Sequence, residues 1–269
     1  MISVLIITKN EENLIANCLN SAKQIADEII VLDAESVDKT VEIVKKYTDK
    51  IFVRNFIDFS QARNFLLSQA KNDWVFYLDA DERITPELAD EIKRKISSSE
   101  PFSAYALPRK NILLGRLQMK GDWWPDYQIR FFKRRGLKKW EGKLHEKPVF
   151  TGQLGYLQEP ILHMSHRSIA QMLEKTNKWS EIEAELMIKA YHPKMSSWRF
   201  FRVVLSEFIK RFFKLEWLGG TEGTIEYFYQ TFSLFISYAK LWEMQRDEKL
   251  DETYRKIDDE FSKKVVKSK

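Results

Sequence analysis

Short apolar runs alternate with polar, helix-like stretches over the first hundred residues. Ser3–Thr8 (SVLIIT), Glu28–Asp33 (EIIVLD), Lys50–Phe56 and Trp74–Asp79 (WVFYLD) read as strands. Helices are predicted between them. Asn10 caps the first, with Glu11 and Glu12 in its positive first turn, and it runs to about Ser21. A second opens at Asp38-Lys39-Thr40 and reaches Tyr47, and Ser60 caps a third over Gln61–Gln69. Thr85-Pro86-Glu87 combines a cap, a proline at the first helical position and an early acid, so a fourth helix starts there and ends near Ile96. Four strand–helix units in succession predict an α/β fold, an open and mostly parallel sheet with helices on both faces.

The pattern then changes twice. Glycine and proline recur from Gly115 to Pro160, which predicts short strands and loops. From Ser168 onward the periodicity is helical, over Ser168–Tyr191, Ser197–Trp217 and Ile225–Arg246, and the charged tail from Asp247 is expected to fray. The expected organisation is one domain over residues 1–166, with halves at 1–98 and 99–166, followed by a helical region over 167–269.

Composition narrows the class. A chain with 44% hydrophobic and 31% charged residues and only 9 glycines is neither collagen-like nor disordered. Its one cysteine, Cys18, excludes an internal disulfide and any cysteine-based zinc or iron–sulfur site, and fits a reducing compartment. Met1-Ile-Ser-Val-Leu reads directly into a strand, so no secretory leader is expected.

The net charge of +5 is concentrated. Lys189–Trp217 holds seven Lys/Arg and two acids, which accounts for the whole excess. Of the 45 residues from Trp198 to Trp242, 14 are aromatic, against 13% over the chain. On a helical wheel Trp198, Phe201, Leu205, Phe208, Ile209 and Phe212 form one stripe that Arg199, Lys210 and Lys214 avoid, while Phe200 and Val203 break it. A basic amphipathic helix of this kind lies on a membrane surface, or packs its stripe inside the protein. Ile225–Trp242 is apolar nearly all round but carries Glu226, Gln230 and Lys240, too polar to span a bilayer; burial, shallow insertion or a homo-oligomer contact are its uses. No nucleic-acid reader motif accompanies the basic segment, so nucleic acid is not expected as a partner.

Three predicted strands end in polar residues on one sheet edge, where ligands bind in such folds: Thr8-Lys9-Asn10, Asp33 through Asp38, and Asp79-Ala80-Asp81-Glu82. An Asp-x-Asp at a strand end sets two carboxylates at the rim, suited to Mg²⁺ or Mn²⁺ on a diphosphate, although a solvated capping turn has the same sequence. Neither a G-x-G-x-x-G nor a P-loop sequence is present, so a nucleotide here needs metal and basic residues.

Val4-Leu-Ile-Ile-Thr-Lys-Asn-Glu11, Ile30-Val-Leu-Asp-Ala-Glu-Ser-Val-Asp-Lys-Thr40, Gln61-Ala-Arg-Asn64 and Phe76-Tyr-Leu-Asp-Ala-Asp-Glu82 resemble glycosyltransferase family 2 in order and spacing. Trp124-Pro-Asp-Tyr-Gln-Ile-Arg-Phe-Phe132 and Trp140-Glu-Gly-Lys-Leu-His-Glu-Lys-Pro148 are similar to its bacterial lipopolysaccharide core β-1,4-glucosyltransferase branch. One departure stands out, Asp33-Ala-Glu-Ser36 where many members have Asp-Asp-Gly-Ser.

The resemblance implies a GT-A fold, a nucleotide-binding half at 1–98, a sugar-acceptor half at 99–166, and metal-dependent inverting transfer from a UDP-sugar, with glucose as the expected sugar. Thr8, Asn10, Glu11, Asp33, Ser36, Arg63, Asp79 and Ala80 would contact the nucleotide-sugar, Asp33 at the uracil N3–H and Arg63 near the pyrophosphate. Asp81, with Asp79, would hold Mg²⁺ or Mn²⁺. Inversion needs a base for the incoming hydroxyl; Glu146 is the first candidate and Asp126 the second, ahead of Glu141 and Asp122. Trp124, Arg130 and His145 are candidates for holding the sugar acceptor, and His163 for completing a metal shell, though each has an ordinary packing or pairing role as its alternative. The expected acceptor is a lipopolysaccharide core or similar glycolipid, reached by a cytoplasmic enzyme peripheral on the inner face of the membrane. A polyprenyl phosphate, a peptide, or a non-catalytic binding module on the same fold are the alternatives.

Overall fold

The computed structural model describes residues 1–98, 100–143 and 146–267, with no side-chain description for 264–267. Its first four strands, β1 (Ile2–Thr8), β2 (Glu28–Asp33), β3 (Ile51–Val53) and β4 (Trp74–Asp79), lie parallel in the order β3-β2-β1-β4. Side chains alternate between the two faces of a strand, and both faces here are covered by helices. Ile6, Val31, Phe76 and Leu78 meet α1 (Ile15–Ala22), α2 (Thr40–Val44) and α4 (Pro86–Ser97) on one face. Leu5, Ile30, Leu32 and Tyr77 meet Ala62 and Leu66 of α3 (Phe59–Gln69) on the other. Full burial of such a side chain contributes about 1.5–3 kcal/mol, so the apolar runs that mark the strands also hold the layers together.

Beyond β4 come β5 (Glu82–Arg83), β6 (Phe102–Leu113), β7 (Arg116–Leu117), β8 (Asp126–Lys133), β9 (Leu137–Glu141), β10 (Lys147–Phe150), β11 (Gln153–Tyr156) and β12 (Ile161–Ser165). β8 inserts antiparallel between β4 and β6, and the sheet continues β6-β12-β5 with β7 and β11 also on β6. β9 and β10 form a separate antiparallel pair. The sheet is therefore mixed, with a parallel first half. Where short strands were expected in the middle, β6 runs for 12 residues; opposite Tyr105 and Ala106 the pairing shifts register and leaves Arg130 as an extra residue in β8. Such a bulge bends the strand that carries it.

Two helix starts differ from the sequence reading. Asn10 does not cap α1: its backbone is left-handed (φ 53°), its side chain accepts from Val37 N, and the helix begins at Ile15. α3 begins at Phe59 with Asp58, not Ser60, as its cap, because Ser60 Oγ donates instead to the Gly142 carbonyl. Thr85 does cap α4, accepting from Leu88 N at 3.2 Å.

The chain divides into two compact units, Met1–Arg167 and Ser168–Lys269. The second holds α5 (Ile169–Lys189), α6 (Ser197–Phe213), α7 (Gly220–Met244) and α8 (Leu250–Lys267). α8 replaces the fraying tail expected from Asp247. Thr176 and Tyr229 hydroxyls join α5 to α7 at 2.7 Å. Phe200–Phe235 (5.8 Å) and Phe208–Phe228 (6.0 Å) ring contacts run α6 antiparallel to α7. Among the described residues no helix is long and apolar enough to cross a membrane.

Candidate active site

Parallel pairing aligns Thr8 with Asp33 and Ile7 with Asp79, so the carboxyl ends of β1, β2 and β4 form one edge. Two loops there are tied together. Ser36 donates its N–H (2.7 Å) and its hydroxyl (2.6 Å) to the two oxygens of Asp33. Asn10 N donates to Ser36 Oγ (2.8 Å) and Glu11 N to Thr40 Oγ1 (2.8 Å). The Glu11 carboxylate meets Arg167 at 3.0 Å. Asp33 is buried completely by this arrangement, and Thr8 Oγ1 beside it is buried with no hydrogen-bond partner among the described residues.

The end of β4 is densely charged. Asp79 pairs with Arg63 of α3 (3.2 Å) and Arg130 of β8 (2.5 Å). Arg63 Nε also donates to Glu146 (2.9 Å), and its guanidinium lies 4.8 Å from the centre of the Trp140 ring. Arg130 reaches Glu82 as well (2.9 Å), and the other Glu82 oxygen accepts from Asp79 N (3.0 Å). Loss of water around Asp79 pushes its carboxyl up, but the Arg130 and Arg63 guanidiniums outweigh this and hold it well below the usual carboxylate range. Ala80 is buried, with its carbonyl accepting from Arg83 (2.9 Å).

Asp81 points elsewhere: its Oδ2 lies 3.5 Å from His163 Nε2 on β12. His163 Nδ1 faces Asn111 Oδ1 at 2.6 Å, and Asn111 Nδ2 donates to Asp126 Oδ2 at 2.9 Å. Asp126 is further held by Arg109 (2.7 Å) and Gln128 (2.7 Å). Burial opposes the charge on Asp126, yet Arg109 and the bonds from Asn111 and Gln128 prevail and lower its pKa.

Most of the residues singled out from the sequence therefore gather at one edge. Arg130, read either for a phosphate of the sugar acceptor or for pairing with a nearby carboxylate, pairs with Asp79 and Glu82 and is almost fully buried. Trp124 is half-buried two residues before Asp126. His145 lies outside the described residues. Sequence reasoning did not single out Arg109, Asn111 or Glu82 as members of the site. The signal was present as period-two alternation: Arg109 and Asn111 share one face of β6, and Asp126 and Gln128 share one face of β8.

Residues 3–152, more than half of the chain, match Glycosyl transferase family 2. The chain belongs to glycosyltransferase family 2. An uncharacterized glycosyltransferase of Rickettsia conorii is 30% identical over 254 residues, covering 90% of each chain. The lipopolysaccharide core biosynthesis glycosyltransferase LpsC of Rhizobium meliloti is 24% identical over 253 residues, covering 90% of this chain and 92% of that one. Among solved structures, S. aureus TarS 1–349 in complex with UDP aligns over 81% of this chain and 73% of that one, with 17% identity and a TM-score of 0.45. The family 2 fold here is the α/β sheet with a parallel first half, followed by carboxy-terminal helices.

The Asp-x-Asp of this glycosyltransferase raises the expectation of a divalent ion. Among the described residues no group of three or more His, Cys, Asp or Glu is gathered to hold one. Asp81 and His163 nevertheless supply a carboxylate oxygen and an imidazole nitrogen that face each other. Two protein ligands suffice for an ion whose remaining positions are filled by diphosphate oxygens and water. Asp79, already flanked by two guanidiniums, is the poorer ligand of the motif.

Proposed function

We propose that the protein transfers a hexose, glucose first among the candidates, from its UDP donor to a lipopolysaccharide core or similar surface glycolipid, with inversion at the anomeric carbon. The reading is carried by one observation: at the end of β4, Asp79 meets Arg63, which also holds Glu146, and Asp81 two residues on faces His163. It draws further support from the buried, unsatisfied Thr8 hydroxyl at that edge, which a nucleotide would satisfy, and from the name carried by the R. meliloti relative.

In this reading Thr8, Asn10, Glu11, Asp33, Ser36 and Ala80 line the nucleotide side, with Asp33 toward the uracil. Arg63 faces the diphosphate as negative charge builds on it. Asp81 and His163 hold Mg²⁺ or Mn²⁺, whose chemistry when bound is to neutralise that same leaving-group charge. A base takes the proton from the incoming hydroxyl as its oxygen attacks the anomeric carbon and UDP departs. Glu146 is favoured over Asp126. Asp126 has both oxygens engaged and a depressed pKa, whereas Glu146 is held through Oε1 alone in the bonds described. Trp124 and His145 fall to the side of the incoming sugar.

A membrane surface is the second partner in this reading, with the enzyme peripheral on the cytoplasmic face. Trp198, Phe201, Leu205, Ile209 and Phe212 of α6 remain exposed, flanked by Arg199, Arg202 and Lys210. Apolar area edged by cations suits an anionic bilayer.

The test is consumption of UDP-glucose, UDP-galactose and UDP-N-acetylglucosamine with core-truncated lipopolysaccharide as acceptor, and assignment of the product anomer by NMR. Glu146→Gln is expected to bind UDP normally and to lose transfer by about 10²–10⁴-fold, the usual contribution of a positioned base. Full activity in Glu146→Gln moves the base to Asp126; no turnover of any donor by the wild type overturns the reading.

A further inference from the structure

We infer that Asn111 is a positioning residue: anchored by Asp126, it turns the His163 ring so that Nε2 presents its lone pair to Asp81. The inference rests on the reading of Asp81 and His163 as the pair that holds the divalent ion.

Asn111 lies on β6, with no exposed surface, and pairs in register with His163 on β12. Its amide has a nitrogen that only donates and an oxygen that only accepts. The nitrogen is fixed by what faces it, the Asp126 carboxylate at 2.9 Å and the Trp123 carbonyl at 3.4 Å, both acceptors. The oxygen must then face the other way, toward His163 Nδ1 at 2.6 Å. That contact is a hydrogen bond only if Nδ1 carries a proton. The other ring nitrogen, Nε2, is thereby turned toward Asp81 Oδ2, 3.5 Å away, and a ligating imidazole binds a metal through the nitrogen that carries no proton.

Asp126 owes its own place to Arg109 and Gln128, so the orientation of one imidazole is transmitted through three strands: β8, β6 and β12. This gives Asp126 and Asn111 a function away from proton transfer. Outer partners of this kind hold a ligating histidine in one tautomer, and their loss typically weakens metal binding about 10–100-fold.

Two measurements test this. The first is Mn²⁺ binding in the presence of UDP, read from the free-ion EPR signal, in wild type, Asn111→Ala, His163→Ala and Asp81→Asn. Asn111→Ala is expected to weaken Mn²⁺ by about 10–100-fold, and unchanged affinity in a folded Asn111→Ala overturns the inference. The second needs no variant at Asn111. Long-range ¹H–¹⁵N spectra of the wild type with Mg²⁺ and UDP, with His163→Ala to assign the ring, are expected to show the proton on Nδ1 and a bare Nε2. A proton on Nε2 with a bare Nδ1 overturns the inference even if Asn111→Ala fails to fold. Full Mn²⁺ affinity in both Asp81→Asn and His163→Ala would instead remove the metal pair itself, while the tautomer spectrum still decides what Asn111 does.

Discussion

In Met1–Arg167 the large aromatics Phe76, Tyr77, Phe131 and Phe132 are sealed from water, and the buried guanidiniums of Arg63 and Arg130 are matched to carboxylates. In Ser168–Lys269 the aromatics turn outward: Trp198 is 70% exposed, Phe201 58%, Phe228 56% and Phe232 44%. The fully buried apolar cluster there is small, built on Ala184, Met195 and Leu241. Similar residue types thus do different work. The first unit uses them to hold a charged edge in place, and the second leaves them on a surface edged by cations. The exposed Phe228 and Phe235 of α7 lie against Phe208 and Phe200 of α6, so aromatics of the two helices meet at the surface. In the proposed reading this is the surface that meets the membrane.

Four substitutions or conditions sharpen this contrast. The largest effect is expected for Arg130→Met, which strands Asp79 and the fully buried Glu82 without their main cation. Removal of one partner from a buried ion cluster costs about 3–5 kcal/mol, to be read from urea unfolding; a cost below about 1 kcal/mol would mean the cluster is well solvated. Phe131→Ala follows. Phe131 packs between Trp74 (4.5 Å) and Tyr105 (5.8 Å), and its truncation is expected to cost about 3 kcal/mol or somewhat more, by the same titration.

Acid comes next. Asp79 and Asp126 both have folded pKa values below their unfolded ones. Their stabilising contribution is complete above the ordinary Asp value of about 4 and is lost as pH falls through the folded values. Unfolding titrations between about pH 5 and 2 should therefore show stability falling with pH, with a shallower slope in Asp79→Asn; an equal slope would detach Asp79 from the effect. The smallest change in stability is expected for Phe232→Ser on the exposed face, within about 0.5 kcal/mol. The same variant should lose binding to vesicles rich in anionic lipid. Unchanged vesicle binding in Phe232→Ser, Phe201→Ser and the double variant would assign this face to another partner.

Much of the first unit was legible because local pattern and tertiary role agree there. Apolar runs such as EIIVLD are buried strands, Thr85-Pro86 starts a helix, and the strand ends deliver Asp33 and Asp79 to one edge. The failures have local causes. Asn10 and Ser60 are good capping residues, but bonds to residues distant in sequence claim both side chains, so α1 starts later and α3 earlier than their identities suggest. The polar ladder of Arg109, Asn111, Asp126, Gln128 and His163 was less visible. It is assembled by pairing among β6, β8 and β12, a register that no short segment of sequence contains. Arg130 shows the same limit: its residue type suggests a phosphate ligand, and only β8's place beside β4 reveals that it is matched to Asp79. In the second unit, the amphipathic stripe of α6 was readable, whereas its continuation onto α7 depends on how the two helices pack.

The central claim is that the strand-end edge binds a uridine diphosphate together with a divalent ion at Asp81 and His163. Isothermal titration of UDP into wild type and Asp81→Asn, each with and without Mn²⁺, tests it most directly. The account predicts UDP binding that Mn²⁺ strengthens in the wild type and fails to strengthen in Asp81→Asn, with both proteins equally folded. UDP binding indifferent to Mn²⁺ in the wild type, or equally strengthened in Asp81→Asn, would contradict it.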